Sequence, residues 1–407
     1  MEAVAEHIKV PELRFPDFSG DWEEKQLGEM AQFRRGSFPQ PYGLPKWYDV
    51  NGLPFVQVYD VADDMQLKES TKQKISKSAA EQSVFIPKDS LIVTIQGSIG
   101  RIAVTQYDAY VDRTLLIFTS FEAPVDIHFL KWELKLLFEY ERKFAPGGTI
   151  KTITKEKLRY FLISLPSLPE QQKIAEFLTA VDEKIGKLKR KKELLEAYKK
   201  GAMQKLFSQE IRFKDDQGNP YPDWEEKRLG DCLFERSEKT SVNNQFEVLS
   251  STAKGLFRQE EYFNRQIASK ENIGYKILRK NQVVLSPQNL WLGNINLNQN
   301  FEIGIVSPSY KIFEISSEVH QGYLGPYLRI PRMFYEYAQA SEQGASVVRR
   351  NLDSDLFSQI AINIPSLPEQ QKIAEFLTGI DDKIKAVANQ IDQAAQFKKG
   401  LLQKMFV

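Results

Sequence analysis

The sequence predicts an α/β (α+β) fold: two globular mixed modules separated by two long helices that form an intramolecular antiparallel coiled coil with pseudo-two-fold symmetry. Three observations predict it. Residues 166–179 read PSLPEQQKIAEFLT and recur letter for letter at 365–378, an offset of 199 (365 − 166). A second pair of copies lies upstream of each module, where Asp21-Trp22-Glu23-Glu24-Lys25-Gln26-Leu27-Gly28 matches Asp223-Trp224-Glu225-Glu226-Lys227-Arg228-Leu229-Gly230. Between these blocks, residues 31–160 and 233–360 have diverged. Solenoid repeats recur every ~20–50 residues, so this longer period means one half-molecule written twice, with a private insert in a shared frame.

The segments follow in order: an N-terminal segment at 1–28, a first variable module at 29–164 and a first repeated helix at 165–208. A linker with the second copy of the N-terminal segment occupies 209–232, a second variable module 233–363, and a second repeated helix 364–407. In the first module Phe55–Val58, Ser90–Ile95, Ile102–Val104 and Leu115–Phe118 are β-branched and apolar, the signature of strands, and 126–143 is amphipathic and helical. The second module offers Phe246–Leu249, Val283–Leu285, Ile295–Leu297 and Tyr310–Phe313, then a helix around 319–338. Aligning Gln96 with Gln288, Gly100 with Gly293, and Ile117-Phe118 with Ile312-Phe313 indicates one scaffold with loops of different length.

Each long helix opens at its prolines, Pro166 and Pro169 or Pro365 and Pro368, which suit extended or first-turn backbone. Glu170 and Glu369 then sit where the helix dipole favours negative charge. Apolar residues recur every seven positions at Ile174, Val181, Leu188, Leu195 and Ala202, and again at Ile373, Ile380, Val387, Ala394 and Leu401. The second seam position holds Leu178, Ile185 and Leu206, with Lys192 and Lys199 interrupting. In the later helix it holds Leu377, Ile384, Ile391 and Met405, with Lys398 interrupting. Five heptads in each copy predict a coiled coil, each helix extending roughly 55 Å at 1.5 Å per residue.

Composition narrows the function. The chain has 407 residues, 42% of them apolar, and one cysteine, Cys232. It has no apolar run near the ~20 residues of a membrane span and no signal-peptide core, so a cytoplasmic protein is expected. Three scattered histidines, His7, His128 and His320, make no metal or histidine-based catalytic centre. The carboxylates beside Trp22 and Trp224 lie on single segments, which cannot converge on a cation as nuclease acids do. Gln96–Gly100 lacks the lysine of a phosphate loop. No catalytic constellation emerges, and the net charge of +1 lacks the basic excess of a free-standing DNA binder.

The order of variable module, repeated helix, variable module, repeated helix resembles the specificity subunit of type I restriction–modification systems, over about residues 11–407. The paired PSLPEQQKIAEFL and Asp-Trp-Glu-Glu-Lys-x-Leu-Gly blocks carry the resemblance, with Ile305–Tyr310 and Lys88–Val93 resembling the family's target-recognition domains. The resemblance implies a non-catalytic chain that reads a bipartite double-stranded DNA site, with one half-site per module and the helices setting the gap. It also implies docking of two methyltransferase (modification) subunits and two restriction/translocase subunits. S-adenosylmethionine, ATP and Mg belong to those partners, with no cofactor on this chain. Partners that share the phosphate contacts would explain the near-neutral charge.

Base readout favours Arg, Lys, Asn, Gln, Ser and Thr presented from loops or strand ends. The candidate DNA contacts are therefore Arg34, Arg35, Gln96, Ser98, Arg101, Arg113 and Lys151 in the first module. In the second they are Ser251, Lys254, Arg258, Gln288, Asn289, Asn294, Arg349 and Arg350. Lys151 trails Gly147-Gly148-Thr149 as Arg349-Arg350 trails Gly344-Ala345-Ser346, an arrangement that suits close approach to phosphate. Subunit docking is expected on the duplicated helix starts, at Gln171, Lys173 and Glu176 and at Gln370, Lys372 and Glu375. Two rival readings are a free-standing two-headed DNA-binding protein and a coiled-coil adaptor for other proteins.

Overall fold

The computed structural model describes residues 10–144, 154–263, 271–343 and 350–407. The chain divides into two compact units. One contains the residues up to Lys187 together with Ile391–Val407, and the other is Leu188–Gln390. Each unit therefore takes one module, one half of the first long helix (Leu168–Phe207) and one half of the second (Leu367–Lys404).

The heptad seam is visible in the burial of both helices. Ile174, Leu178, Ile185, Ala202 and Leu206 are buried, as are Ile373, Leu377, Ile380, Val387, Leu401 and Met405. The helix halves run antiparallel within each unit. In the first unit Lys398 bonds Asp182 while Leu401 and Met405 join the core of Ile174 and Leu178. In the second, Lys199 reaches Asp381 at 2.6 Å while Leu206 and Phe207 share a core with Ile373 and Leu377. Two of the three lysines that interrupt the seam, Lys199 and Lys398, are thus answered by an aspartate on the facing helix at matching places in the two copies, whereas Lys192 pairs with Glu196 on its own helix. Their stems pack apolar surface while the ammonium stays near water.

The other duplicated block closes each module at its base. The strand Glu23–Gln26 pairs antiparallel with Leu162–Leu165, and Glu225–Arg228 pairs with Ala361–Ile364. The Leu-Gly that follows begins a single helical turn, in which Leu27 and Leu229 are fully buried. A Cβ on Gly28 would fall 2.7 Å from Arg159, and one on Gly230 would fall 3.0 Å from Ser358, so both turns need glycine to approach their neighbours.

The diverged modules share one scaffold. In the first, a four-stranded antiparallel sheet runs in the order Ala31–Arg35, Leu115–Phe121, Leu91–Thr94, Ile102–Val104. In the second the order is Leu233–Arg236, Lys311–Ile315, Val283–Leu285, Ile295–Leu297, again all antiparallel. A second layer also recurs: Ala109–Val111 pairs with Val84–Ile86 as Ile303–Val306 pairs with Lys276–Arg279. The alignment of Gly100 with Gly293 is realised in space. Both have positive φ, +77° and +85°, and in both a Cβ would meet an aromatic ring 3.0 Å away, Phe138 or Phe334.

Three strand and helix expectations shift. The strand expected at Phe55–Val58 ends at Val56, and Val58–Asp60 is a 3-10 turn. The one expected at Phe246–Leu249 instead begins at Leu249. The helix expected around 319–338 is two helices, Gln321–Tyr327 and Pro331–Gln339, because Pro331 cannot donate back into the first and starts the second. The helix expected at 126–143 runs Ile127–Phe144, with Asp126 accepting from the N–H groups of His128 and Phe129. Among the described residues, no helix is long and apolar enough to cross a membrane.

Candidate nucleic-acid interface

In the first module the candidate contacts gather at one end of the four-stranded sheet. There Leu91–Thr94 turns back into Ile102–Val104, and the edge strand ends at Arg34 and Arg35, paired with Ile117 and Leu116. The turn is braced from within. The hydroxyl of Thr94, itself buried, donates to the Ser98 carbonyl at 2.5 Å and accepts from the Arg101 N–H at 2.9 Å. Gln96 and Ser98 stand exposed at its crest. The Ile95 N–H donates to the Thr114 carbonyl at 2.9 Å, tying this turn to the next, where Arg113 is exposed. Arg34, Arg35, Gln96, Ser98, Arg101 and Arg113 are therefore all carried at this end of the sheet, Arg34 and Arg35 on opposite faces of the edge strand.

The cations there are not equivalent. Arg101 donates to the Val61 carbonyl at 3.1 Å and pairs with Asp63 at 3.3 Å, so part of its charge is already answered. Arg113 lies over the ring of Tyr42, 5.6 Å from its centroid. Burial, and then the carboxylate of Asp112 that it bonds, push the Tyr42 phenol upward from its ordinary value. Burial likewise pushes Tyr59 up to about 12. Both hydroxyls stay protonated, and both protons are spent within the module, Tyr42 donating to Asp112 and Tyr59 to Gln57.

The second module builds its counterpart differently on the same strand ends. Val283–Leu285 leads into a turn closed by the Ser286 N–H donating to Asn294 at 3.0 Å. Gln288 is exposed and Asn289 half-buried. The Arg350 N–H donates to the Gln288 carbonyl at 3.2 Å, and its guanidinium sits 4.4 Å over the Trp291 ring. These two candidates are brought together from 62 positions apart (350 − 288). Lys254 is exposed at the tip of the hairpin of Leu249–Thr252 and Gly255–Arg258. Arg258, by contrast, is held by Glu247 at 2.6 Å and Glu261 at 3.2 Å.

Two candidates in this module are corrected. Ser251 and Asn294 are buried, 2% and 6% exposed, and their polar atoms bond each other. The Ser251 hydroxyl donates to Asn294 Oδ1 at 2.7 Å, and Asn294 Nδ2 donates to the Ser251 carbonyl at 2.9 Å. Arg329, absent from the sequence candidates, ties the hairpin to the turn. It donates to the Asn296 side chain at 2.5 Å and to the Ala253 carbonyl at 2.6 Å. Burial holds its pKa below the ordinary guanidinium value. Nothing local marks Arg329, since its partners lie more than 30 residues away. Lys151 and Arg349, with the glycine-containing loops before them, lie outside the described residues.

The docking candidates divide too. Gln171 and Gln370 are each 1% exposed and unavailable to a partner. Gln171 accepts from the Asp126 N–H at 2.9 Å and donates to the Pro166 carbonyl at 2.9 Å. Gln370 accepts from the His320 N–H at 2.7 Å and donates to the Pro365 carbonyl at 2.8 Å. Each clamps the start of its module's own helix, because an amide in a buried first turn must find partners for both ends. The neighbouring Glu170 and Glu369 are likewise internal, gripped by Arg14 and Arg212. Lys173, Glu176 and Glu375 remain exposed, while Lys372 is half-buried and paired with Asp216 at 2.6 Å.

A family model for the type I restriction modification DNA specificity domain matches residues 19–197 and again 221–396. The chain belongs to the type I restriction–modification specificity subunits. Its two diverged modules are the two target-recognition domains, and the repeated blocks are the frame they share. It is similar over its whole length to the type I restriction enzyme MjaVIII specificity subunit of Methanocaldococcus jannaschii, at 22% identity covering 96% of this chain and 92% of that one. Among solved structures it resembles the S subunit from M. genitalium, with a TM-score of 0.58 and 16% identity over 98% of this chain and 99% of that one. A chain from a study of type I complex assembly and conformational transition gives 0.55 and 16% identity over 95% and 97%. At such identity the structural likeness speaks for the fold.

Proposed function

We propose that this specificity subunit reads a bipartite double-stranded DNA site, each target-recognition domain taking one half-site, and is itself non-catalytic. One observation carries the reading: the same strand order occurs twice, and the same end of each sheet bears a different set of polar and cationic side chains. A shared scaffold with divergent crests is what two different half-sites require, since base edges are told apart by donor and acceptor patterns. The helices set the unread gap and carry the docking surface for two methyltransferase subunits, because the same surface occurs twice. Two restriction/translocase subunits complete the complex. S-adenosylmethionine, ATP and Mg are held by those partners, in the cytoplasm.

The test is a module exchange. Replacing residues 233–360 with a copy of 31–160 should convert an asymmetric split site into a symmetric one, read by methylome sequencing of cells that express the chimera with its partner subunits. Return of the parental second half-site would refute modular reading. A free-standing two-headed binder would instead bind its site tightly without partners, with affinity falling steeply in salt.

A further inference from the structure

We propose that Gln57 reads an adenine in the first half-site, as an amide whose orientation is dictated from behind by Asp112 and Tyr42. The inference rests on the reading of this domain as a DNA reader and adds the residue, the base and the reason. The dictation begins at Asp112, which is 2% exposed. One carboxylate oxygen accepts the Thr114 N–H at 2.9 Å and the Thr114 hydroxyl at 2.5 Å. The other accepts the hydroxyl of Tyr42. A carboxylate only accepts, so the Tyr42 proton is committed to it. The Tyr42 oxygen can then only accept, and it faces the Gln57 amide at 2.8 Å. That contact must be made by the nitrogen of Gln57. The amide oxygen is thereby turned toward Tyr59, whose hydroxyl donates to it.

Flipping the amide would set its oxygen against the Tyr42 oxygen, whose proton is committed to Asp112, and lose that bond. The backbone beneath is equally fixed: the Gln57 N–H donates to the fully buried Asp60 carboxylate at 2.8 Å, and the Asp60 N–H returns to the Gln57 carbonyl at 2.9 Å. One N–H and one oxygen lone pair of the amide remain, on adjacent groups of known identity. Adenine shows the matching pair in the major groove, an N7 acceptor beside an N6 donor, whereas guanine shows two acceptors. A glutamine free to rotate pays for its ordering on binding; this one is ordered beforehand. Gln57 also stands near two of the candidates, since Arg101 bonds the Val61 carbonyl and Arg113 overlies Tyr42.

The experiment uses the full chain in complex with its methyltransferase subunit, a randomised duplex DNA library, and sequencing of the bound fraction. The parent complex should return a split motif with one fixed A·T pair that depends on Gln57. Gln57→Ala should lower discrimination at that one position roughly 5- to 150-fold, the range of a bidentate base contact, leaving the second half-site unchanged. Gln57→Glu, an acceptor only, should move the preference there toward cytosine. Tyr42→Phe keeps Gln57 but releases its amide, and should relax the same position by less. Melting curves should show all three variants folded. An unchanged Gln57→Ala motif would overturn the inference, as would an even loss across all positions, because a mere loop brace has no base preference. In either case the parental motif would leave DNA reading intact. Failure of the parent to enrich any motif would instead defeat the DNA reading itself.

Discussion

Replacing Arg212 with methionine should destabilise the second unit far more than a surface mutation does, and removing its partner as well should restore most of the loss. Glu369, at the start of the second long helix, is fully buried. It accepts from Arg212 Nε at 3.2 Å and Nη2 at 2.8 Å, and from Trp224 Nε1 at 3.1 Å. The hydrogen bond to Glu369 also raises the Arg212 pKa above the ordinary guanidinium value, ahead of the opposing effect of burial. Arg212 Nη2 further ties down the carbonyls of Tyr221 at 3.3 Å and Pro222 at 2.5 Å, anchoring the segment that leads into the base strand.

Breaking one side of a buried pair leaves an uncompensated charge and costs about 3–5 kcal/mol. For a unit of this size that corresponds to roughly 6–20 °C of melting temperature. The pair Arg212→Met with Glu369→Met should recover all but about 1 kcal/mol, the cost of leaving the Trp224 indole N–H without its acceptor. Urea unfolding of the full chain followed by tryptophan fluorescence measures this. The equivalent Arg14–Glu170 pair, 2.7 Å apart in the first unit, is untouched and provides the internal control. A cost below about 1 kcal/mol for Arg212→Met, or a double variant no more stable than the single, would refute the clamp.

Three further outcomes are expected. Burial alone pushes the Glu133 carboxyl up to about 8 from its usual 4.5, so its contribution to stability is full below 4.5 and lost as pH rises through 8. Glu133→Gln should therefore match the parent at pH 5 and exceed it at pH 9 by on the order of 4 kcal/mol; parallel pH profiles in thermal melts would exclude this. Charge reversal at Lys173, Glu176 and Glu375, all exposed, should weaken methyltransferase assembly while leaving melting nearly unchanged, and an unaltered complex in analytical ultracentrifugation would remove that surface from consideration. Inserting four residues near Lys189–Lys192, with a matching insertion in the second helix, adds about 6 Å. It should lengthen the DNA spacer by one or two base pairs with both half-sites retained, and undiminished modification of the original spacer would show that the helices are not the ruler.

What could be read from the sequence divides by the range of the forces involved. The coiled-coil seam was legible because its signal is local: a 3.5-residue period survives whatever the rest of the chain does. Even Lys199 and Lys398 were visible as interruptions, although not the aspartates that answer them. The turn at Gly100 and Gly293 was legible because positive φ beside a ring leaves little choice of residue. The Glu-Gln pair of the repeated block was not. In one dimension a polar residue in the first turn of an amphipathic helix reads as solvated, and exact duplication reads as a surface offered twice to partners. Duplication, though, marks any position whose environment occurs twice, and an internal clamp meets that condition as well as a docking face does. Burial decides between them. Glu170, Gln171, Glu369 and Gln370 hold their own chain together, so a repeated polar residue points to a partner only where, as at Lys173, Glu176 and Glu375, it also reaches the solvent.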